Sequence, residues 1–229
     1  MALLLFSLVF APVMASAQDT RKADPEQMKE AIEESQEAAA AFRAIMKTPD
    51  KGIPLDVLSR AEAVAVFGNV VQAALLVGGR GGDGAISRRR ESGWSVPAFF
   101  KLGGASAGAQ IGGTRSDIVL LFMDEASLDA LLDNRLELGA DVEAVAGPVG
   151  RQASASTTAR MDEGILAYTR SKGLFAGASV KGTIITPDDE LNKEVFGADA
   201  RAILTGTRIA TPPEGARALS EALAELTTK

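Results

Sequence analysis

The chain has 229 residues, of which 46% are hydrophobic and 24% charged, with a formal net charge of −6. This length and apolar content support one well-cored domain and exclude a disordered chain or a multispan membrane protein. His and Cys are both absent, which excludes imidazole triads, thiolate nucleophiles, disulfides and Cys/His metal sites.

The N-terminus reads MALLLFSLVFAPVMASAQ. An apolar run from Ala2 to Val13 precedes Ala15-Ser16-Ala17, a small-x-small cleavage pattern. Residues 1–17 are therefore expected to be a secretory signal peptide, although no basic residue leads it. The run is too short to span a bilayer as a helix. No Cys stands at the cleavage point for lipid attachment, so the expected product is a soluble, exported chain, periplasmic or secreted, with residues 18–229 forming a single domain. The acidic net charge gives no general attraction to nucleic acid.

A helix is expected from Asp24 to Met46. Asp24 serves as N-cap, Pro25 takes the first helical position and Gln27 closes a capping box. Met28, Ile32, Ala39, Phe42, Ile45 and Met46 share one stripe at helical spacing. A short helix follows from Pro54 to Glu62. The pattern then turns β-like, in runs punctuated by Gly or polar turns: 63–68, 74–79, 84–89, 96–102, 106–113 and 117–123. Asp124 caps a helix through Leu132, and strand-like runs resume at 136–150, 165–171 and 174–185. Helices close the chain at 187–196, 198–204 and 214–226. The expected fold class is α+β: an antiparallel, Gly-rich β meander, sandwich or barrel-like, with N- and C-terminal helices packed at its ends.

Several short motifs lack the context their chemistry requires. Gly79-Arg80-Gly81-Gly82-Asp83-Gly84 fits GxGxxG, but no helix start follows to hold a pyrophosphate, so a hairpin turn is expected there. Gly104-Ala105-Ser106-Ala107-Gly108 fits GxSxG without any His to take a serine proton. The pairs Asp124-Glu125 and Asp188-Asp189-Glu190 sit where helix N-termini favour negative charge; Asp162-Glu163 is a third acidic pair. No catalytic residue, metal ligand or cofactor is assigned.

The cations are more informative. Arg88-Arg89-Arg90 is the densest basic run, just before Gly93-Trp94 and Phe99-Phe100-Lys101. Guanidinium groups beside aromatic anchors suit phosphate-bearing ligands. The same run also suits a charged edge strand that resists strand addition. Lys172 and Lys181 flank a lean segment, SKGLFAGASVKGTII, whose small residues mark close backbone approach.

At GWSVPAFFKLGGASAGAQIGGTRSDIVLLFM (Gly93 to Met123) the chain resembles the SYLF domain family. The likeness continues through LGADVEAVAGPVGR, ILAYTRSKGLFAGASVKG and the Asn192…Phe196-Gly197 stretch, and upstream through AVAVFGNVVQAALLVGGRGGDGAISRR. It covers about residues 30–204 of the chain. In place of aromatics that the family often has near Ala107 and within 79–84, this chain has Ala and Gly. The resemblance implies a non-enzymatic lipid-binding module of the phosphoinositide-binding, actin-regulator type. For an exported chain it implies anionic phospholipid or a similar head group at an envelope surface, with actin not expected as a partner. The expected head-group contacts are Arg88, Arg89, Arg90, Lys101, Lys172 and Lys181. The alternative reading is an envelope structural or interaction protein that binds a protein or polymer through its lean strands.

Overall fold

The computed structural model describes residues 24–48, 52–74, 78–106, 112–133, 135–149, 164–171, 174–176, 180–207 and 211–227. The expected signal peptide, the Asp162-Glu163 pair and Lys172 lie outside the described residues. Helix α1 (Pro25–Met46) and the short α2 (Leu55–Leu58) lead into a run of strands: β1 (Ala63–Ala74), β2 (Gly78–Arg90), β3 (Gly93–Trp94), β4 (Ala98–Ser106) and β5 (Gly112–Phe122). After α3 (Glu125–Leu132) come β6 (Leu136–Glu137), β7 (Ala144–Ala146), β8 (Ile165–Ser171), β9 (Leu174–Ala176) and β10 (Thr183–Pro187). Helices α4 (Asp189–Phe196), α5 (Ala200–Thr205) and α6 (Ala218–Thr227) end the chain.

The strands form one curled sheet, a half-barrel, in the order β6-β10-β4-β2-β1-β5-β8-β7, with β3 added to β2 and β9 to β8. Pairing is antiparallel except between β7 and β8, which run parallel. The α+β reading holds, with helices at both ends of the chain. Strand boundaries differ from the sequence expectation. Gly79–Gly84 is not a turn but the interior of β2, paired to β1 on one side and β4 on the other. The glycines misread as punctuation let strands lie close: a Cβ at Gly84 would come within 2.5 Å of Phe67 Cδ1 and 2.9 Å of its Cα. Of the run 136–150, only Leu136–Glu137 and Ala144–Ala146 are strand.

Burial divides the sheet in two. In β1, Ala63 to Phe67 are all fully buried, so both faces are covered there. Helix α1 lies against β1, β2 and β5, while α3 touches β5 and β10. Beyond a bulge between Phe67 and Val70, where Asn69 takes φ +49°, the strands run on as a thinner extension. Asn69, Val71, Ala73, Gly79, Gly81, Asp83, Gly113, Thr114 and Arg115 are exposed there.

The caps follow the sequence closely. The side chains of Asp24, Asp124, Asp188 and Asp199 accept from the backbone N–H of Glu26, Ser127, Leu191 and Ala202. Gln27 does not close the box on Asp24; it reaches Glu190 at 3.5 Å, and the Asp24 N–H donates to Glu194 at 2.7 Å. The first turn of α1 is thereby tied to α4. The buried side of α1 is rotated from the expected stripe: Ala31, Ser35, Ala38, Ala39 and Ala41 are buried with Phe42 and Ile45, while Met28, Ile32 and Met46 are only partly buried. Small side chains let the helix approach the sheet: a Cβ at Gly68 would stand 2.7 Å from Glu37 Cγ.

Candidate binding site

The three consecutive arginines close β2, and each is bonded to a different helix or turn. Arg88 pairs with Glu125 at the start of α3, Nη2 to Oε1 2.7 Å. Arg89 donates from Nε to the Ala61 carbonyl at 2.9 Å and from Nη2 to the Leu58 carbonyl at 2.7 Å. Those carbonyls belong to the end of α2 and the turn after it; the Leu58 carbonyl also accepts from the Ala61 N–H at 3.2 Å. Arg90 does the same for α5: its Nη2 donates to the carbonyls of Ile203 (2.7 Å) and Leu204 (2.9 Å). Gly206, at φ +81°, leaves room for that guanidinium, because a Cβ there would collide with Arg90 Nη1. Burial holds the pKa of both Arg89 and Arg90 below the ordinary guanidinium value; Arg88 adds to this at Arg90, and Glu62 opposes it at Arg89.

A tight turn brings Trp94 back beside Arg89, its cross-strand partner, with Gly93 at φ +117°. The Arg89 guanidinium carbon stands 4.3 Å from the Trp94 ring centroid, a cation–π contact. The indole Nε1 donates to Thr227 Oγ1 of α6 at 3.0 Å. Between this turn and α6 opens a cavity of about 650 Å³. Arg89, Arg90, Trp94 and Arg217 line it together with Ser92 and Ser220; Glu91 and Glu221 also face it. The cavity is thus a place where three guanidinium groups meet an aromatic plane and the hydroxyls of Ser92, Ser220 and Thr227, a chemistry suited to a phosphate or carboxylate.

The five described cations of the expected six do not assemble in one place. Arg89 and Arg90 share the cavity, whereas Arg88 turns to α3. Lys101 lies on β4, paired with Asp188 at the start of α4, and the hydrogen bond to Asp188 raises its pKa first of all. Lys181 sits in the turn before β10 with its stem over Gly139, where a Cβ would lie 2.6 Å from Lys181 Cγ. Two cations escaped the sequence reading. Arg217 reaches the cavity from the far end of the chain. Arg80, half-buried in β2, donates to Thr183 Oγ1 at 3.2 Å. Neither stands in a basic run, so no local signal marked them. Among the described residues, no group of acidic side chains is arranged to hold a metal ion, and no helix is long and apolar enough to cross a membrane.

Comparison with known proteins places these features in context. The model of the family described as Ysc84, Las17-binding protein actin regulator, matches residues 103–226. Protein YSC84 of Saccharomyces cerevisiae is 35% identical over 191 residues, covering 79% of this chain and 40% of that protein. LAS seventeen-binding protein 3 of the same organism is 38% identical over 170 residues, 72% of this chain and 37% of its own length. SH3 domain-containing YSC84-like protein 1 of Homo sapiens is 34% identical over 186 residues, 79% of this chain and 53% of that protein. The chain spans about half or less of the length of these curated relatives.

Proposed function

This chain belongs to the Ysc84 family of Las17-binding, actin-regulator proteins, the SYLF family, and from that premise we propose that it is a non-catalytic module that binds phosphate-bearing head groups of an anionic lipid surface. The observation that carries this reading is the convergence of Arg89, Arg90 and Arg217 on one cavity beside Trp94. Arg89 and Arg90 are held in place by backbone carbonyls, which fixes their remaining N–H groups at little further entropic cost. Arg217 is exposed and supplies the adjustable contact. The indole ring offers the amphipathic anchor common at lipid interfaces. Lys172 and Lys181 belong to this reading as further contacts with the surrounding surface. Arg88 and Lys101 belong to it less directly, because each already faces a carboxylate. An exported form beginning at Gln18 is part of the same proposal, checked by the intact mass of the mature chain.

The test is co-sedimentation with neutral and with anionic vesicles across a salt series. Binding to anionic vesicles alone, weakening as salt rises, is the expected outcome. Arg217→Ala should weaken it about fivefold, since one basic residue at an anionic surface contributes roughly 1 kcal/mol. Lys29→Ala, on α1 and outside the cavity, should change little. Absence of binding at low salt, or equal binding by Arg217→Ala, rejects the reading.

A second reading is favoured by the relatives, one of which is named for binding LAS seventeen. A protein partner would meet the sheet extension beyond the bulge, where strands are exposed and Val71 is 46% accessible. Such binding would tolerate salt, and Val71→Asp would weaken it.

A further inference from the structure

Charge crowds the junction between the N-terminal half of α1 and the sheet. Glu34 projects from α1 and is half-buried, and its Oε2 is closed off from solvent with no hydrogen-bond partner among the described residues. Around it stand Glu30 on the same helix, Asp83 on β2, Asp188 at the start of α4 and Lys101 on β4. Asp83 and Lys101 are direct cross-strand partners. The one ammonium is paired with Asp188, and its charge offsets the carboxylates around Glu34 only in part. Three carboxylates thus act on a fourth, one of whose oxygens is closed off from water.

We propose that this junction is a proton-operated latch: a proton on Glu34 keeps the N-terminal half of α1 seated on β1 and β2, and loss of that proton releases it. Burial, followed by the charges of Asp83, Glu30 and Asp188, raises the Glu34 pKa to about 8, with Lys101 opposing. A neutral carboxyl tolerates the site, whereas a carboxylate there is both desolvated and repelled. The seat is also shallow. Beneath this half of the helix lie Ala31 and Ser35, the latter accepting from the Leu219 N–H of α6 at 3.3 Å, whereas Phe42 and Ile45 anchor the other half.

Of the other charged groups around α1, Lys29 is paired with Glu33 on its own helix at 3.3 Å. Glu190 and Glu194 of α4 bind the first turn through Gln27 and the Asp24 N–H, and add negative charge. On the far half, Arg43 pairs with Glu225 of α6 at 2.9 Å. Asp117 of β5 is paired with Arg170 of β8 at 2.8 Å and accepts from the Asn69 N–H, while the Asn69 side chain bonds Glu37. β1 carries no ionisable side chain. The direction follows: with the folded-state pKa raised, the latch is fully closed below the ordinary carboxylate range. It weakens as pH rises and is open above about 8. None of these residues lines the arginine cavity, so the latch and the head-group reading stand or fall separately.

The chain has no Cys, so pairs of introduced cysteines can carry nitroxide labels cleanly. Lys29→Cys with Ala126→Cys spans α1 and α3, and Lys47→Cys with Ala126→Cys monitors the anchored end. Between about pH 6.5 and 9.5, the first pair should broaden and lengthen with a midpoint near 8, while the second stays narrow. Glu34→Gln should keep the first pair narrow throughout. A first pair unchanged at high pH, a transition that persists in Glu34→Gln, or equal broadening of both pairs (global unfolding) overturns the latch.

Discussion

Asn192 shows how one buried polar side chain joins two elements. Its carboxamide is fully buried, accepting from the Phe99 N–H and donating to the Phe99 carbonyl, both at 2.9 Å. It thereby does for β4 what a neighbouring strand would do, at the point where α4 covers the sheet. Removing it strands the buried Phe99 N–H, at about 1–3 kcal/mol for an unpaired group, while the Phe99 carbonyl keeps the Asp188 N–H at 2.9 Å. Asn192→Ala is therefore expected to lose about 1–3 kcal/mol in chemical denaturation, with the Phe99–Phe196 stack, 5.9 Å between centroids, loosened alongside. Tyr168 is a milder case: burial raises its pKa, and its hydroxyl donates to the Pro148 carbonyl at 3.1 Å.

Short helices in this chain are finished by side chains from distant strands. α5 has too few residues to be stable alone, yet its last carbonyls are capped by Arg90 of β2 as well as by the Gly206 N–H. Arg90→Ala should cost about 2–3 kcal/mol, because charge-assisted bonds to buried carbonyls are lost together. Arg90→Lys should recover little of that, since one ammonium on a flexible stem does not reproduce the planar fork. Thermal melts of the two variants check both statements. This structural duty explains why a basic run at the end of a strand was so readable as a surface patch. Sequence records the charge and not the carbonyl it faces.

At the scale of the whole molecule, the raised Glu34 pKa makes stability depend on pH. The folded state holds a proton that the unfolded chain releases near the ordinary carboxylate pKa of 4.5 and the folded chain near 8. Stability is therefore highest below pH 4.5 as far as this group is concerned, and declines as pH rises toward about 8. At about 1.4 kcal/mol per unit, reduced for partial solvent access, the decline amounts to about 2–4 kcal/mol. The difference between wild-type and Glu34→Gln unfolding free energies, measured from about pH 5 to 9, should trace it. A flat difference curve would remove the electrostatic basis for the latch.

Much of the architecture was legible because it rests on local rules. The Asp caps of α1, α3 and α4, the strand character of 63–67 and 117–122, and the α+β order follow from capping chemistry and apolar patterning. Composition alone removed imidazole and thiol chemistry. The glycines of 79–84 misled for a physical reason: the same absence of a Cβ that permits a turn also permits close strand packing, and only the neighbours decide which. The parallel β7–β8 pair, the bulge that thins the sheet and the tie from α1 to α4 involve residues far apart in the chain. The same holds for the two sites proposed to carry function. Arg217 meets Arg89 and Arg90, and Glu34 meets Asp83 and Asp188, only after the sheet curls and the helices dock. The sequence by itself determined the family, the fold class and the kinds of side chain available. Which charges face one another, and which are spent on carbonyls, was decided by tertiary structure, because electrostatic environment depends on distance and burial rather than on order along the chain.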